Sequence, residues 1–443
     1  MFRYNLELAL HGLRRFPKST VLAVITVAMG LSASMTTLTL LHMLSADPLP
    51  GRSQNLYLAW VDTVQAKPQN YTSLNDVNTV NYKRIKMPDV KALMASHRAT
   101  RQAAMADMTA DVETIDGKHV QQFQELLATT SDFVPMFGVA LRSGRSWSSA
   151  EDDAHAPVAV IDTNLAQKLF GNANALGQSI HIKDTVFRVI GVVSPFAPQP
   201  HFYGLNAWTF SSSDANDVFV PYTAALDAGL QPNSYDLCDV GTKKKSVFDI
   251  NTTHCSWLSY WVQLDTSQQV LDYRAYLDHY MEQNKLLSGD GKPAKAGLFS
   301  AAEWLAMQNV VPDNVRLNVW LAGSFLLLCM VNVAGLLAAK FLRRSGEIGI
   351  RRALGAPRRA VFIQHVLEAS AISVMGGVLA LPLTLCGLWI LRKQDQGFTD
   401  LAQLDPLMFI ALFMLALVVG VIVGLLPSWR ASTVEPGLQV KSA

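Results

Sequence analysis

Four stretches of the chain are apolar over lengths that suit a bilayer: 20–44, 317–339, a third within 361–391, and 406–429. A helix needs about 20 apolar residues to cross roughly 30 Å of hydrocarbon. Each stretch therefore predicts a transmembrane helix. Their length and scarcity of charge argue against buried helices of a large soluble core. The first run far exceeds the roughly 7–15 residues of a signal-peptide core and has no convincing small-residue cleavage site, so it reads as a retained anchor. Ahead of it, over 1–19, Phe2, Leu6, Ala9, Leu13 and Phe16 recur at helical spacing, opposite Arg3, Glu7, His11, Arg14 and Lys18. This predicts an amphipathic helix in the headgroup plane, with Pro17 allowing a bend into the first span. It serves either as a plain anchor or as a collar that couples motion to that span. Between the first two spans, 45–316 breaks into short apolar segments punctuated by glycine turns, the pattern of an α/β domain. The fold class expected is an α-helical membrane protein with four transmembrane helices and a large α/β extracytoplasmic domain inserted between helices 1 and 2.

Composition sharpens this picture. Of the 443 residues, 50% are hydrophobic and 16% charged, against about a quarter charged in an ordinary soluble protein. The net charge of +2 matters less than its placement. Arg3, Arg14, Arg15 and Lys18 precede the first span. Lys340, Arg343, Arg344, Arg351, Arg352, Arg358 and Arg359 lie at 340–360, between the second and third. Arg430 and Lys441 fall in the tail, 430–443. In the connection at 392–405, Arg392 and Lys393 are offset by Asp395, Asp400 and Asp405. Positive charge marks the cytoplasmic side, so both termini and the 340–360 loop are expected inside and 45–316 outside. Cys238 and Cys255 fall in the outer domain, where oxidation is allowed, and are expected to close a disulfide around Gly241–Lys245. His254 beside Cys255 lacks a second ligand pair at zinc spacing. Cys329 and Cys386 fall inside spans and are expected to pack there as small side chains.

Within the spans, Glu368 is the main ionisable residue. A carboxylate pairing with nearby arginines or a neighbouring helix is expected in preference to a proton relay. Asn332 is expected to act as interhelical glue, and Gly420 and Gly424 form a G-x-x-x-G pattern that leaves its partner helix open. The histidines of the outer domain, His155, His181, His201 and His254, are scattered, with no clustered nucleophile and base. No enzyme is expected.

By composition alone the loop between the second and third spans reads as an orientation signal. Glu347-Ile348-Gly349-Ile350-Arg351-Arg352-Ala353-Leu354-Gly355-Ala356 alternates small, charged and apolar residues. It suits a short helix that Gly355 can end and Pro357 can restart. This string closely resembles the cytoplasmic loop of the FtsX-like permease family. So do Leu367-Glu368-Ala369 followed by Gly376-Gly377, and Pro427-Ser428-Trp429-Arg430-Ala431-Ser432 with Glu435-Pro436. In the outer domain, Phe137-Gly138 to Gly144-Arg145, Pro157–Ile161, Ala166–Gly171, Ala175–Gln178, Phe187–Val193 and Asp217–Tyr222 resemble, in order, MacB-type periplasmic domains. The resemblance is weakest at 201–217 and 230–255, which read as insertions.

The resemblance implies the permease subunit of an ABC transporter in the bacterial inner membrane, a mechanical transmitter acting in export or efflux. MacB-type relatives carry a fused ATPase domain. No G-x-x-x-x-G-K-[ST] loop occurs here, so ATP is expected to be bound by an ABC ATPase acting in trans, with no cofactor in this chain. Its expected dock is Glu347 through Ala356, with Arg351 and Arg352 as polar contacts. A second permease copy or a paralogue and the lipid bilayer are the other expected partners. A periplasmic adaptor and outer-membrane duct are left open, and no nucleic-acid partner is expected. The alternatives are an FtsX-like scaffold regulating an extracytoplasmic enzyme and a lipoprotein-release permease.

Overall fold

The structure is a computed structural model. It describes residues 17–64, 83–203, 216–233, 253–284, 295–308, 313–344, 357–393 and 406–433, with single or paired positions between them. Most of the expected amphipathic helix at 1–19 and the connection at 394–405 lie outside the described residues. Two compact units emerge, one from 1–45 with 311–443 and the other from 46–310.

The membrane unit holds four long helices, Pro17–Leu44, Asp313–Arg343, Arg358–Arg392 and Pro406–Thr433. Each runs a few residues beyond its apolar stretch at one end or both, because helical hydrogen bonding continues into the polar flanks. Their outward surfaces are apolar: Leu317, Leu328, Ile410 and Leu426 are all exposed. This inversion suits lipid rather than water as the surrounding solvent. Exposed Trp320 and Trp389 stand at one end of the helices and Trp429 at the other, as in interfacial aromatic belts. Three hydroxyls in the first helix are satisfied locally, with Thr26 donating to Leu22 O, Thr36 to Ser32 O and Thr37 to Ala33 O. Ser34 instead donates across to Ala322 O of the second helix at 3.2 Å. Cys329 is buried, whereas Cys386 is exposed. The packing role expected for Cys386 therefore fails within this chain, because its helical phase points it outward.

Small residues set how closely these helices approach. A Cβ on Gly376 would lie 2.7 Å from Val27 of the first helix, and one on Gly30 would lie 3.1 Å from Cys329 of the second. The partner of the G-x-x-x-G pattern is the third helix. A Cβ on Gly420 would meet the Ser370 Cα at 2.8 Å, and one on Gly424 the Ala369 Cβ at 2.7 Å. Gly420→Leu should force the third and fourth helices apart and cost about 1–3 kcal/mol. A lowered thermal midpoint of the detergent-purified chain would report it; an unchanged midpoint would mean the helices separate freely.

The outer unit is built on one eleven-stranded sheet. In chain order the strands are β1 (Leu56–Val61), β2 (Ile85–Lys86), β3 (Arg101–Thr114), β4 (Val120–Thr129), β5 (Leu141–Gly144), β6 (Val158–Asp162), β7 (Ser179–Ile182), β8 (Thr185–Val193), β9 (Val218–Pro221), β10 (Ser256–Gln263) and β11 (Ala296–Ser300). The spatial order is β11-β1-β10-β3-β4-β9-β6-β8-β5, with β2 on β10 and β7 joining β3 to β8. Both faces of the central strands are covered. Ala104, Ala106 and Met108 of β3 enter one core, and Ala103 and Met105 the other. Helix Thr163–Phe170 connects β6 towards the parallel strand β8, the crossover that parallel pairing requires. Asp162 caps that helix by accepting from Leu165 N at 2.6 Å.

The second core is aromatic. Phe137 lies 4.6 Å from Phe133, 5.3 Å from Tyr203 and 6.3 Å from Trp261 between ring centroids. Phe202 and Tyr203 are fully buried there, and Trp304 Nε1 donates to Phe202 O at 2.9 Å. The weakly matching segment at 201–217 thus begins inside the core. Its following residues, 204–215, lie outside the described ones. Cys238 and Cys255 are joined in a disulfide. Beside it, Asp239 takes an ion pair from Lys86 at 3.3 Å and meets His254 Nδ1 at 3.3 Å.

Asp217, at the start of β9, carries a raised carboxyl pKa of about 6 against an ordinary 3.8. Burial is the main cause and the nearby Asp162 carboxylate the second. The native state therefore holds a proton that the unfolded chain releases between those values, so stability is lost as pH rises from about 4 to about 6. Asp217→Asn should flatten that slope and raise the protection of β9 from hydrogen exchange at pH 7.5, with little change at pH 4. A slope that survives the substitution would assign it to another carboxylate.

Candidate functional site

The candidate site lies at the end of the membrane unit where the second helix leaves and the third begins. The second helix carries Lys340 and Arg343 in its last turn. The third starts at Arg358 after Pro357, which the missing N–H of proline suits. Of the residues expected to contact an ATPase, Gly349, Ile350, Arg352, Leu354 and Gly355 are described, while Glu347, Ile348, Arg351, Ala353 and Ala356 lie outside the described residues. Leu354 N donates to Ile350 O at 3.0 Å and Gly355 N to Arg352 O at 3.1 Å, so a helical turn ends there. Gly355 has φ +97°, a conformation open to glycine at no steric cost and common just past a helix end. Ile350 and Leu354, one turn apart, are 59% and 83% exposed. Together they form an apolar ridge beside the partly buried Arg352.

Where the second helix ends and the third begins, the structure brings together charges that lie far apart in the sequence. Glu368 of the third helix is 1% exposed, and its Oε1 lies 2.6 Å from Lys340 Nζ, itself 3% exposed at the side chain. Arg344 Nη1 and His365 Nδ1 each approach Glu368 Oε2 at 3.7 Å. Lys340 also donates to Thr20 Oγ1 of the first helix at 3.4 Å. The His365 ring packs on Phe341, with centroids 4.1 Å apart. One buried carboxylate thus ties the exit of the second helix to the entry of the third, and through Lys340 to the start of the first. Pairing of Glu368 with a neighbouring helix, as the sequence suggests, is what the structure shows: its nearest partner is Lys340 of the second helix, with Arg344 farther off. The one signal for His365 in the sequence is its i,i+3 spacing from Glu368, which places both on one helix face.

The remaining residues singled out fall elsewhere. Gly420 and Gly424 pack the third and fourth helices, and Cys238 and Cys255 lie in the outer unit. Asn332 is exposed on the second helix, so it joins no other helix of this chain. Among the described residues, no group of three or more His, Cys, Asp or Glu side chains is placed to hold a metal ion.

Comparison with known proteins gives two adjoining family matches: the MacB-like periplasmic core domain over residues 20–277 and the FtsX-like permease C-terminal region over 319–436. The chain is 25% identical over 294 residues to the macrolide export ATP-binding/permease protein MacB of Bdellovibrio bacteriovorus, covering 66% of this chain and 40% of that one. It is 25% identical to the pyoverdine export ATP-binding/permease protein PvdT of Pseudomonas fluorescens, over 87% of this chain and 50% of the relative. It is 22% identical to the ABC transporter permease YknZ of Bacillus subtilis, over 87% of this chain and 84% of the relative. The chain thus spans half or less of the length of the MacB and PvdT relatives. Among solved structures, the periplasmic region of MacB from Actinobacillus actinomycetemcomitans aligns with 59% of this chain and 96% of its own length, at 15% identity and a TM-score of 0.36.

Proposed function

This chain belongs to the MacB-type, FtsX-like family of ABC transporter permeases, and on that premise we propose that it transmits the motion of a separate ABC ATPase to its outer unit for export. The observation that carries this is the exposed Ile350–Leu354 ridge, closed by Gly355 and carried on the connection between the two helices that share the buried Glu368 cluster. An apolar ridge on a short helical turn, flanked by arginines, is the kind of projection that a groove with carboxylates on its rim would accept. Movement imposed there reaches three helices at once through Glu368, Lys340 and Thr20. The lysine and arginine distribution supports a cytoplasmic position for this ridge and for both termini. The outer unit would then face the opposite compartment, where an adaptor or duct would receive the substrate.

Co-purification tests the reading. The chain should capture a small ABC ATPase whose ATP hydrolysis it stimulates. Ile350→Asp with Leu354→Asp should abolish capture without unfolding the protein, since both side chains are exposed. An intact chain that captures no ATPase sinks the proposal. Cross-linking from the outer unit separates the alternatives: recovery of an adaptor or duct supports efflux, and recovery of a wall-modifying enzyme supports a regulatory scaffold.

A further inference from the structure

His365 stands on the third helix one turn before Glu368, and its side chain is buried. Ionisable groups within membrane helices are costly to keep there and mark function by default. Its Nδ1 makes no hydrogen bond among the described residues. That nitrogen faces Glu368 Oε2 from 3.7 Å, outside hydrogen-bonding distance but near enough for a side-chain adjustment to close the gap. Phe341 of the second helix holds the ring, with centroids 4.1 Å apart. Packing alone would be served as well by phenylalanine.

Each neighbouring helix contributes to the charge balance. The second brings Lys340 to Glu368 Oε1 at 2.6 Å and Arg344 to Oε2 at 3.7 Å, while its Arg343 is exposed. The first brings the Thr20 hydroxyl to Lys340, and its Lys18 is exposed. The fourth has one charged side chain, Arg430, exposed near its end. On the third helix itself, Arg358 and Arg359 are exposed. With a neutral imidazole, Lys340 and Arg344 share one carboxylate. A proton on His365 sets a third cation against the same anion, where burial leaves repulsion poorly screened. The second and third helices both pack on the first, so this cluster is a direct link between them.

We propose that His365 is a proton switch on that link. Neutral, it leaves Glu368 to Lys340 and Arg344. Protonated, its Nδ1–H donates to Oε2 in a charge-assisted bond, draws that oxygen from Arg344 and places a like charge beside both cations of the second helix. Acidification at this end therefore loosens the second helix from the third, where the connecting loop begins. Histidine is the side chain whose ordinary titration falls between about pH 5 and 8. The consequence for an ATPase rests on the permease reading; the proton site does not.

Spin labels test this in the whole chain in lipid nanodiscs, with Cys329→Ala and Cys386→Ser removing the free thiols. Labels on Leu342→Cys and Ile363→Cys, both exposed, report the separation of the two helix ends. From about pH 8 to about pH 5, the distance should lengthen and its distribution broaden when His365 is present. His365→Phe, which keeps a ring on Phe341, and His365→Gln, which keeps a neutral polar group, should both hold the distribution seen at the higher pH. A distance indifferent to pH with His365 in place, or a pH response that survives in both variants, would overturn the proposal. With a captured ATPase, stimulation should fall about fivefold or more over the same range, corrected for the ATPase alone, and neither variant should show the fall. An equal fall in the variants would overturn the switch as a regulator of transmission. If no ATPase is captured while the distance still follows pH through His365, the permease reading fails and the proton switch stands.

Discussion

Glu368→Ala is expected to destabilise the membrane unit by about 3–5 kcal/mol, because it leaves Lys340 buried beside no counter-charge. Lys340 has its nitrogen 2.6 Å from the carboxylate and almost no contact with solvent. Arg344, 11% exposed, loses the same anion. The attraction between such charges does not by itself make the pair stabilising, since both were desolvated to form it. Replacing both with apolar residues of similar volume, Lys340→Met with Glu368→Leu, should therefore recover most of the loss. Thermal unfolding of the chain in lipid nanodiscs separates these cases. If the single variant melts like the parent, the cluster is hydrated and its charges do not depend on each other. If the double variant regains its midpoint but no longer transmits ATPase stimulation, the charges are retained for coupling rather than for stability.

The second large effect lies in the outer unit. Phe137→Ala removes a fully buried ring that touches Phe133, Phe202, Tyr203 and Trp261. Truncating such a side chain costs about 3–5 kcal/mol, part transfer and part unfilled cavity. The neighbours have little freedom to collapse, because Trp304 anchors Phe202 by its carbonyl and Tyr203 donates to Asn216 Oδ1 at 3.1 Å. Phe123→Ala is the matched control. That ring is 77% exposed on β4, and its removal should cost little. Denaturant unfolding followed by tryptophan fluorescence reports the difference, since Trp261 and Trp304 line the same core. Equal losses at Phe137 and Phe123 would mean that the aromatic cluster is not the packing centre.

Hydrophobic length alone was enough to find the four membrane helices, because a bilayer imposes one strong condition on any segment that crosses it. The glycine-punctuated segments of 45–316 likewise identified an α/β domain, and the ordered strings around Phe137-Gly138, Gly144-Arg145 and Glu347–Ala356 identified the family. These are local or one-dimensional signals, and they survive without knowledge of contacts. The charge cluster was not legible in this way. Lys340 and Glu368 sit on different helices, and a lysine at a helix end reads as an orientation signal whether or not it is paired. Only the packing of the second and third helices against the first decides that Lys340 turns inward to Glu368 and Thr20. The same holds for Gly420 and Gly424, whose partner helix depends on which face meets Ser370 and Ala369, and for Phe202 and Tyr203, which look like the start of an insertion but fill a core. Asn332 shows the limit from the other side: its polarity is in the sequence, but its outward direction is set by the rotational phase that packing gives the second helix. Composition and periodicity determined which segments exist and what solvent each requires; the close approach of helices and strands decided which side chains meet.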